Sequence, residues 1–160
     1  MKLIPLNRGM VAKVDDADFT HLSRYNWFAN RGRGGRFYAV RHTPGDHAHY
    51  VKMHRELLGI TDPDIKVDHI DNDPLNNQRY NLRPATNSQN CMNRQGRANS
   101  NSKSGVLGVS FDKRHRKWFA QIQIGNKRKT LGRFKTIEEA RAVREAAAKI
   151  HYGEFSGGAL

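Results

Sequence analysis

The chain has 160 residues, enough for one domain or two small ones, and its 28 Lys/Arg against 15 Asp/Glu give a net charge of +13 and a pI near 10.3. That surplus points to a polyanionic partner met through phosphates, although a merely solvated or ribosomal-type basic surface would share it. The single cysteine, Cys91, excludes an internal disulfide and a Cys-ligated structural zinc, and fits a reducing cytoplasm. No apolar run approaches the ~20 residues of a membrane span. The N-terminal MKLIPLNRGMVAKVDD lacks the apolar stretch of a secretion signal, so the expected location is cytoplasmic.

The first fifty residues read as a small antiparallel sheet. Leu3 to Leu6 and Met10 to Val14 are short β-rich runs around the turn-like Asn7-Arg8-Gly9. Asp15 to Ser23 reads as a short helix capped by Asp15 or Asp16, with Phe19 and Leu22 facing inward. Strands at Trp27-Phe28-Ala29 and Phe37 to Val40 flank the loop RGRGG, whose arginines suit either a DNA backbone or a solvated hairpin tip. His49 to Met53 reads as another strand and Arg55 to Leu58 as a turn of helix. His54 reads as a packing or hydrogen-bonding residue, not a ligand.

The stretch Val67 to Arg94, VDHIDNDPLNNQRYNLRPATNSQNCMNR, gathers an Asp-His pair and a series of asparagines with few apolar side chains. Val67 to Ile70 suits a strand, Asp71 to Pro74 a turn, Asn76 to Asn81 an irregular return, and Thr86 the cap of a helix reaching about Asn93. Asn81 lies twelve residues beyond His69, and Asn90 nine beyond Asn81. A β-turn-β-α unit would let Asp68 on the strand and Asn90 on the helix converge on one divalent cation. His69, with an intrinsic pKa near ~6.5, can accept a proton from water. A backbone carbonyl or Asn81 could fix its tautomer. Any single Asn here is explained as well by an Asx turn; the whole constellation is not.

Asp68, His69, Asn81 and Asn90 match in order and approximate spacing the motif of the HNH nucleases. The chain resembles most the phage and intron-encoded homing endonucleases, which carry Asn at the third motif position. VDHIDNDPLNNQRYNLRPAT is similar to the family core throughout, and VKMHRELLG to the segment before it. The resemblance implies that His69 is the general base, that Asp68 and Asn90 hold one Mg²⁺ or Mn²⁺, and that Asn81 orients His69. The family's zinc-knuckle members carry paired cysteines that this chain lacks. Its fold must rest on apolar residues, including Val67, Ile70, Leu75 and Leu82.

The Asn/Ser-rich stretch before Gly105 reads as a linker over 98–104, dividing a nuclease domain, 1–97 with its core motif at 54–94, from a second domain, 105–160. Residues 98–160 hold 13 Lys/Arg against 5 Asp/Glu, a denser surplus than the 15 against 10 of residues 1–97. Val106 to Phe111, Lys117 to Ile124 and Lys127 to Phe134 read as three strands, with Gly125-Asn126 as a hairpin turn. Thr136 and Glu139 form a capping-box pattern at the start of a helix whose Ala140, Val143, Ala147 and Ile150 should face the sheet. Trp118, Ala120, Ile122 and Ile124 would pack beneath it, leaving an open face with Arg114, Arg116, Gln121, Gln123, Arg128 and Thr130, and Lys127 beside them, for phosphates and base edges.

This segment resembles the Apetala/ethylene-response-factor DNA-binding domain in its GV before strand one, W-x-A-x-I on strand two, LG-x-F after strand three and Glu-Glu-Ala in the helix. Ser110, Asp112, Gln121, Gln123 and Thr130 stand where that family's base-contacting arginines and tryptophans fall, so its target sequence does not carry over. The expected fold class is α+β: a small N-terminal sheet, a ββα-metal unit, then a three-stranded sheet on one helix. The expected function is a metal-dependent homing-type endonuclease on double-stranded DNA, nicking as a monomer with no protein partner. The competing expectation is a DNA-binding regulator with an inactive nuclease unit.

Overall fold

The computed structural model describes residues 1–32, 34–43, 45–93, 102–125 and 127–156. Arg33 of the glycine-rich loop, most of the expected linker and Asn126 of the hairpin turn lie outside them. The chain forms two compact units, Met1–Asn87 and Ser88–Leu160, each built from small antiparallel sheets and short helices. The α+β expectation therefore holds. Among the described residues no helix is long and apolar enough to cross a membrane.

In the first unit β1 (Lys2–Pro5) pairs with β2 (Val11–Val14), Ile4 opposite Ala12, across a 3-10 turn at Asn7–Gly9. Arg8 and Gly9 both take positive φ there, 60° and 68°, which closes the turn. Helix α1 (Asp16–Leu22) follows with Asp15 at its N-cap, but the Asp15 carboxylate makes no capping bond and is used elsewhere. The second sheet runs in the order β3 (Phe28–Arg31), β4 (Phe37–Thr43), β5 (Asp46–Lys52), and α2 (Met53–Leu57) starts directly after β5. Last comes the hairpin of β6 (Lys66–His69) and β7 (Leu82–Ala85).

Alternation along β1 and β2 sends Ile4, Ala12 and Val14 inward to meet Leu22, Trp27, Met53 and Leu82 in one core. Each large apolar side chain buried there stabilises the unit by roughly 1.5–3 kcal/mol. Trp27 completes its burial by donating its indole N–H to the Leu22 carbonyl at 2.8 Å. Val67 and Leu75 pack at the margin of this core, whereas Ile70 is only half-buried and stands apart from it. Its place in the support of the hairpin is taken by polar groups, described below.

In the second unit β8 (Val109–Asp112), β9 (Lys117–Ile124) and β10 (Lys127–Phe134) form a meander under α4 (Ile137–Tyr152). Trp118, Ala120, Ile122 and Ile124 turn toward the helix, as their alternation predicts. Thr136 and Glu139 make the full capping box, hydroxyl to the Glu139 N–H and carboxylate to the Thr136 N–H. One expectation for this helix fails. Val143 is 36% exposed and Ile150 78%, while Ala140, Arg144, Ala147 and Ala148 form the buried stripe. Ala140 and Ala147 face inward as expected, but Arg144 and Ala148 take the places of Val143 and Ile150: the alanines let the helix sit close to the sheet, and the long stem of Arg144 covers the remaining apolar surface.

Gly108 marks that close approach. Its φ is +76°, and a Cβ there would stand 2.4 Å from the Gln121 carbonyl oxygen and 2.9 Å from Arg144 Nε. Gly108→Ala is therefore expected to destabilise the second unit by roughly 2–4 kcal/mol, through strain and overpacking together. Urea unfolding followed at Trp118 measures it; a loss under 1 kcal/mol would contradict this account of the glycine.

Candidate active site

Asp68 and His69 end β6, opposite Arg83 and Leu82 of β7. Both are buried, at 4% and 6% exposure. The Arg83 guanidinium reaches across the pair, donating from Nε to Asp68 Oδ2 at 2.8 Å, and its Nη2 forms an ion pair with the same oxygen at 2.8 Å. This cross-strand bond holds the carboxylate in one orientation. The His69 ring stands perpendicular to that of His54, with centroids 5.1 Å apart, and Tyr38 lies 6.4 Å away. His54 is buried and packs edge-on against Tyr38 as well, which fits its reading as a packing residue.

Burial is the largest influence on the His69 pKa and pushes it below the usual imidazole value. The Asn77 amide and the charges of Asp71, Asp68 and Asp73 pull it back only in part. His54 is pushed well below that value, first by burial, then by the neighbouring His69, Lys52 and Arg55 charges. Both rings are thus neutral at pH 7. An unfolded chain protonates these histidines near pH 6.5, while the folded chain resists until lower pH. Their contribution to stability is therefore complete above pH 6.5 and is lost as pH falls through the folded values, at up to ~1.4 kcal/mol per pH unit for each proton. Denaturant titrations in EDTA between pH 7.5 and 5 should show this loss, and His54→Gln should shrink it. A flat profile would rule out two buried neutral rings.

The segment between β6 and β7 is held almost wholly by polar groups. Asp71 is its hub: Oδ1 accepts from the Asp73 N–H (2.8 Å) and from Asn81 Nδ2 (2.9 Å), and Oδ2 from Asn76 Nδ2 (2.7 Å). Burial pushes the Asp71 carboxyl up, but these bonds outweigh it and leave its pKa lowered. Asn81 also donates to the Asn76 carbonyl (2.8 Å) and accepts from the Asp71 N–H (2.9 Å). The segment then docks on β2: Lys13 N–H donates to the Leu75 carbonyl and Asn77 N–H to the Lys13 carbonyl, both at 2.8 Å. Asp15 accepts from Gln78 Nε2 and the Arg79 N–H, and Asp18 from the Arg79 guanidinium. That is where the expected capping carboxylate of α1 is spent.

Asn81 therefore reaches His69 through the loop, not by a bond to the ring, and Asn77 is the amide beside the imidazole. Asn90 lies on α3 (Asn87–Met92), in the second unit. For a cation, Asp68 supplies a hard carboxylate oxygen with a fixed orientation, which suits Mg²⁺ or Mn²⁺. Among the described residues no three His, Cys, Asp or Glu side chains gather to hold a metal. A cation at Asp68 would complete its shell with amide, water and phosphate oxygens, a donor set that Mg²⁺ accepts.

On the second unit the register puts Thr130 opposite Gln121 and Arg128 opposite Gln123, so these four share the open face of the sheet. Gln123 donates to the Gly125 carbonyl at 2.8 Å. Lys127 stands opposite Ile124, on the helix side by register. Arg114 and Arg116 are exposed but occupy the turn between β8 and β9, not the sheet face. Asp112 organises that turn by accepting from the Arg114 and His115 N–H groups. Bonds from Arg133, then His115, hold its carboxyl far below the usual range. Arg133, opposite Phe119 and 5.4 Å over its ring, is an open-face cation that the sequence pattern did not single out.

No family model matches this chain, and no solved structure matches it. A protein of Acanthamoeba polyphaga mimivirus, named an uncharacterized HNH endonuclease, is 29% identical to it over 159 residues, covering 96% of this chain and 77% of the relative.

Proposed function

We propose that the chain is a metal-dependent DNA endonuclease of homing type, an HNH nuclease unit followed by a sheet that holds the DNA. The observation that carries the reading is His69, buried and neutral on a strand end beside a carboxylate fixed by Arg83. The mimivirus relative's name supports it. Water attacks the scissile phosphorus, its proton passes to the His69 imidazole, the P–O3′ bond breaks, and O3′ takes a proton from solvent to leave a 3′-hydroxyl and a 5′-phosphate. Asp68 and Asn90 are the residues that would hold the cation, which when bound supplies positive charge to the phosphate and the leaving oxygen. Asn77 sets the imidazole, and Asn81 sets the loop that carries Asn77.

The second unit supplies grip. Between Lys103 and Lys135 there are ten Lys/Arg and one acid, Asp112, and that acid is already spent on Arg133 and His115. Arg128, Gln121, Gln123 and Thr130 offer donors on one face, with Arg114 and Arg116 at its end. Joining two weak binders raises the effective concentration of each on the DNA and narrows the choice of site. One active site per chain cuts one strand, so nicking by a monomer is the expected product. The test is cleavage of supercoiled DNA carrying the gene's own flanking sequence, in Mg²⁺, in Mn²⁺ and in EDTA. Open-circle product that needs metal supports the reading. Salt-sensitive binding without cleavage on that DNA would replace it with a DNA-binding regulator.

A further inference from the structure

The second unit contains a cation that neither the fold nor the nuclease reading uses. Arg144, on α4, is 8% exposed, its Nε is buried with no hydrogen-bond partner, and the neighbour of its guanidinium is the Tyr152 ring at 5.6 Å. Among the described residues no carboxylate pairs with it; Glu145, the next residue, is bonded to Arg141. Burying a charged N–H without an acceptor is costly, so the Arg144 Nε marks a site completed by something else.

Arg144 lines a cavity of about 500 Å³ at the edge of β9, on the side where β8 gives way to Gly108. Arg128, Gln121 and Gln123 line it too, and Tyr152 stands in its wall with its hydroxyl donating to the Gln123 carbonyl. Among the described residues the lining contains two arginines and no acid. Gly108 keeps the approach open, since a side chain there would collide with Arg144.

We propose that this cavity binds a phosphate group, with Arg144 as the planar donor fork. The phosphate belongs either to the DNA backbone or to a free phosphate-bearing small molecule. The DNA source rests on the reading that the second unit grips DNA; binding of inorganic phosphate does not depend on that reading or on catalysis.

The full chain is titrated calorimetrically with inorganic phosphate at constant ionic strength, alongside Arg144→Met, whose fold is checked by circular dichroism. Saturable one-site binding weakened at least tenfold in the variant is expected. Equal binding by wild type and folded variant overturns the site. Should the variant not fold, Cys91 reports instead, because it is exposed and lines the same cavity. Phosphate should slow its alkylation in the wild type at least threefold relative to matched chloride, and an unchanged rate overturns the proposal. The source is then read from DNA binding. If the phosphate is the DNA's own, Arg144→Met makes the slope of log K against log salt shallower by about 0.9, and inorganic phosphate competes with DNA. An unchanged slope with lost phosphate binding assigns a free ligand.

Discussion

A His69→Ala chain is expected to lose metal-dependent nicking by about 10³-fold while retaining its salt-sensitive hold on DNA. A positioned general base is worth about 10²–10⁴ in rate, and among the described residues no second imidazole stands ready. His54 is packed against Tyr38 and is pushed well below the usual pKa, which makes it a poor substitute base. Removing the buried ring also leaves a cavity beside His54, so the variant loses stability, and a fall in activity alone would not separate the two causes. Added imidazole does: it enters the vacated space and restores part of the cleavage if His69 moves a proton, and nothing if the ring merely packs. The acid limb of the wild-type rate should lie below pH 6.5, because burial lowers the pKa of the base. A folded His69→Ala chain that still nicks at the wild-type rate would end the assignment.

Asn81→Ala carries the second large effect. The side chain is 1% exposed and makes three bonds, two with Asp71 and one with the Asn76 carbonyl. Losing three bonds, one buried and two part-buried, at about 1 kcal/mol each, with the buried Asn76 carbonyl left unsatisfied, should cost the first unit roughly 2–4 kcal/mol. Asn81 and Asp71 act through one network, so Asp71→Ala and the double variant should show a coupling of about 1–2 kcal/mol. Urea denaturation of the four chains measures it. Additive losses would mean that Asn81 supports the backbone without Asp71. Cleavage should fall in the single variant as well, since the loop also places Asn77 beside His69.

The elements of both units were legible because their signals are local. Alternation placed β9 within its observed bounds, and the Thr136/Glu139 spacing placed the start of α4. The Asp-His pair announced itself through residue type alone. Three things were not legible, each because it depends on distant chain. Nothing local says that Asp15 bonds Gln78 and Arg79, so its carboxylate read as a helix cap. The apolar positions around the hairpin suggested a hydrophobic support, whereas Asp71, Asn76, Asn77 and Asn81 provide much of it. The Asp-x-Asp spacing at 71 and 73 was the available clue. On α4 the helical period counted Val143 and Ile150 as inward because they are apolar, whereas the buried stripe includes Arg144. Burial of a long cation is invisible to a rule based on hydropathy.

The docking of residues 75–79 onto Lys13, Asp15 and Asp18 bears on how far the nuclease motif is portable. A fragment cut to 54–94 contains every residue of the motif, yet it leaves the Leu75 carbonyl and the Asn77 N–H without their strand and Arg79 without its carboxylate. Such a cartridge could not be grafted onto a different protein without bringing β1, β2 and α1 along. On the ribosome β2 emerges some sixty residues ahead of the loop it will hold, so the two can pair only after that loop has left the exit.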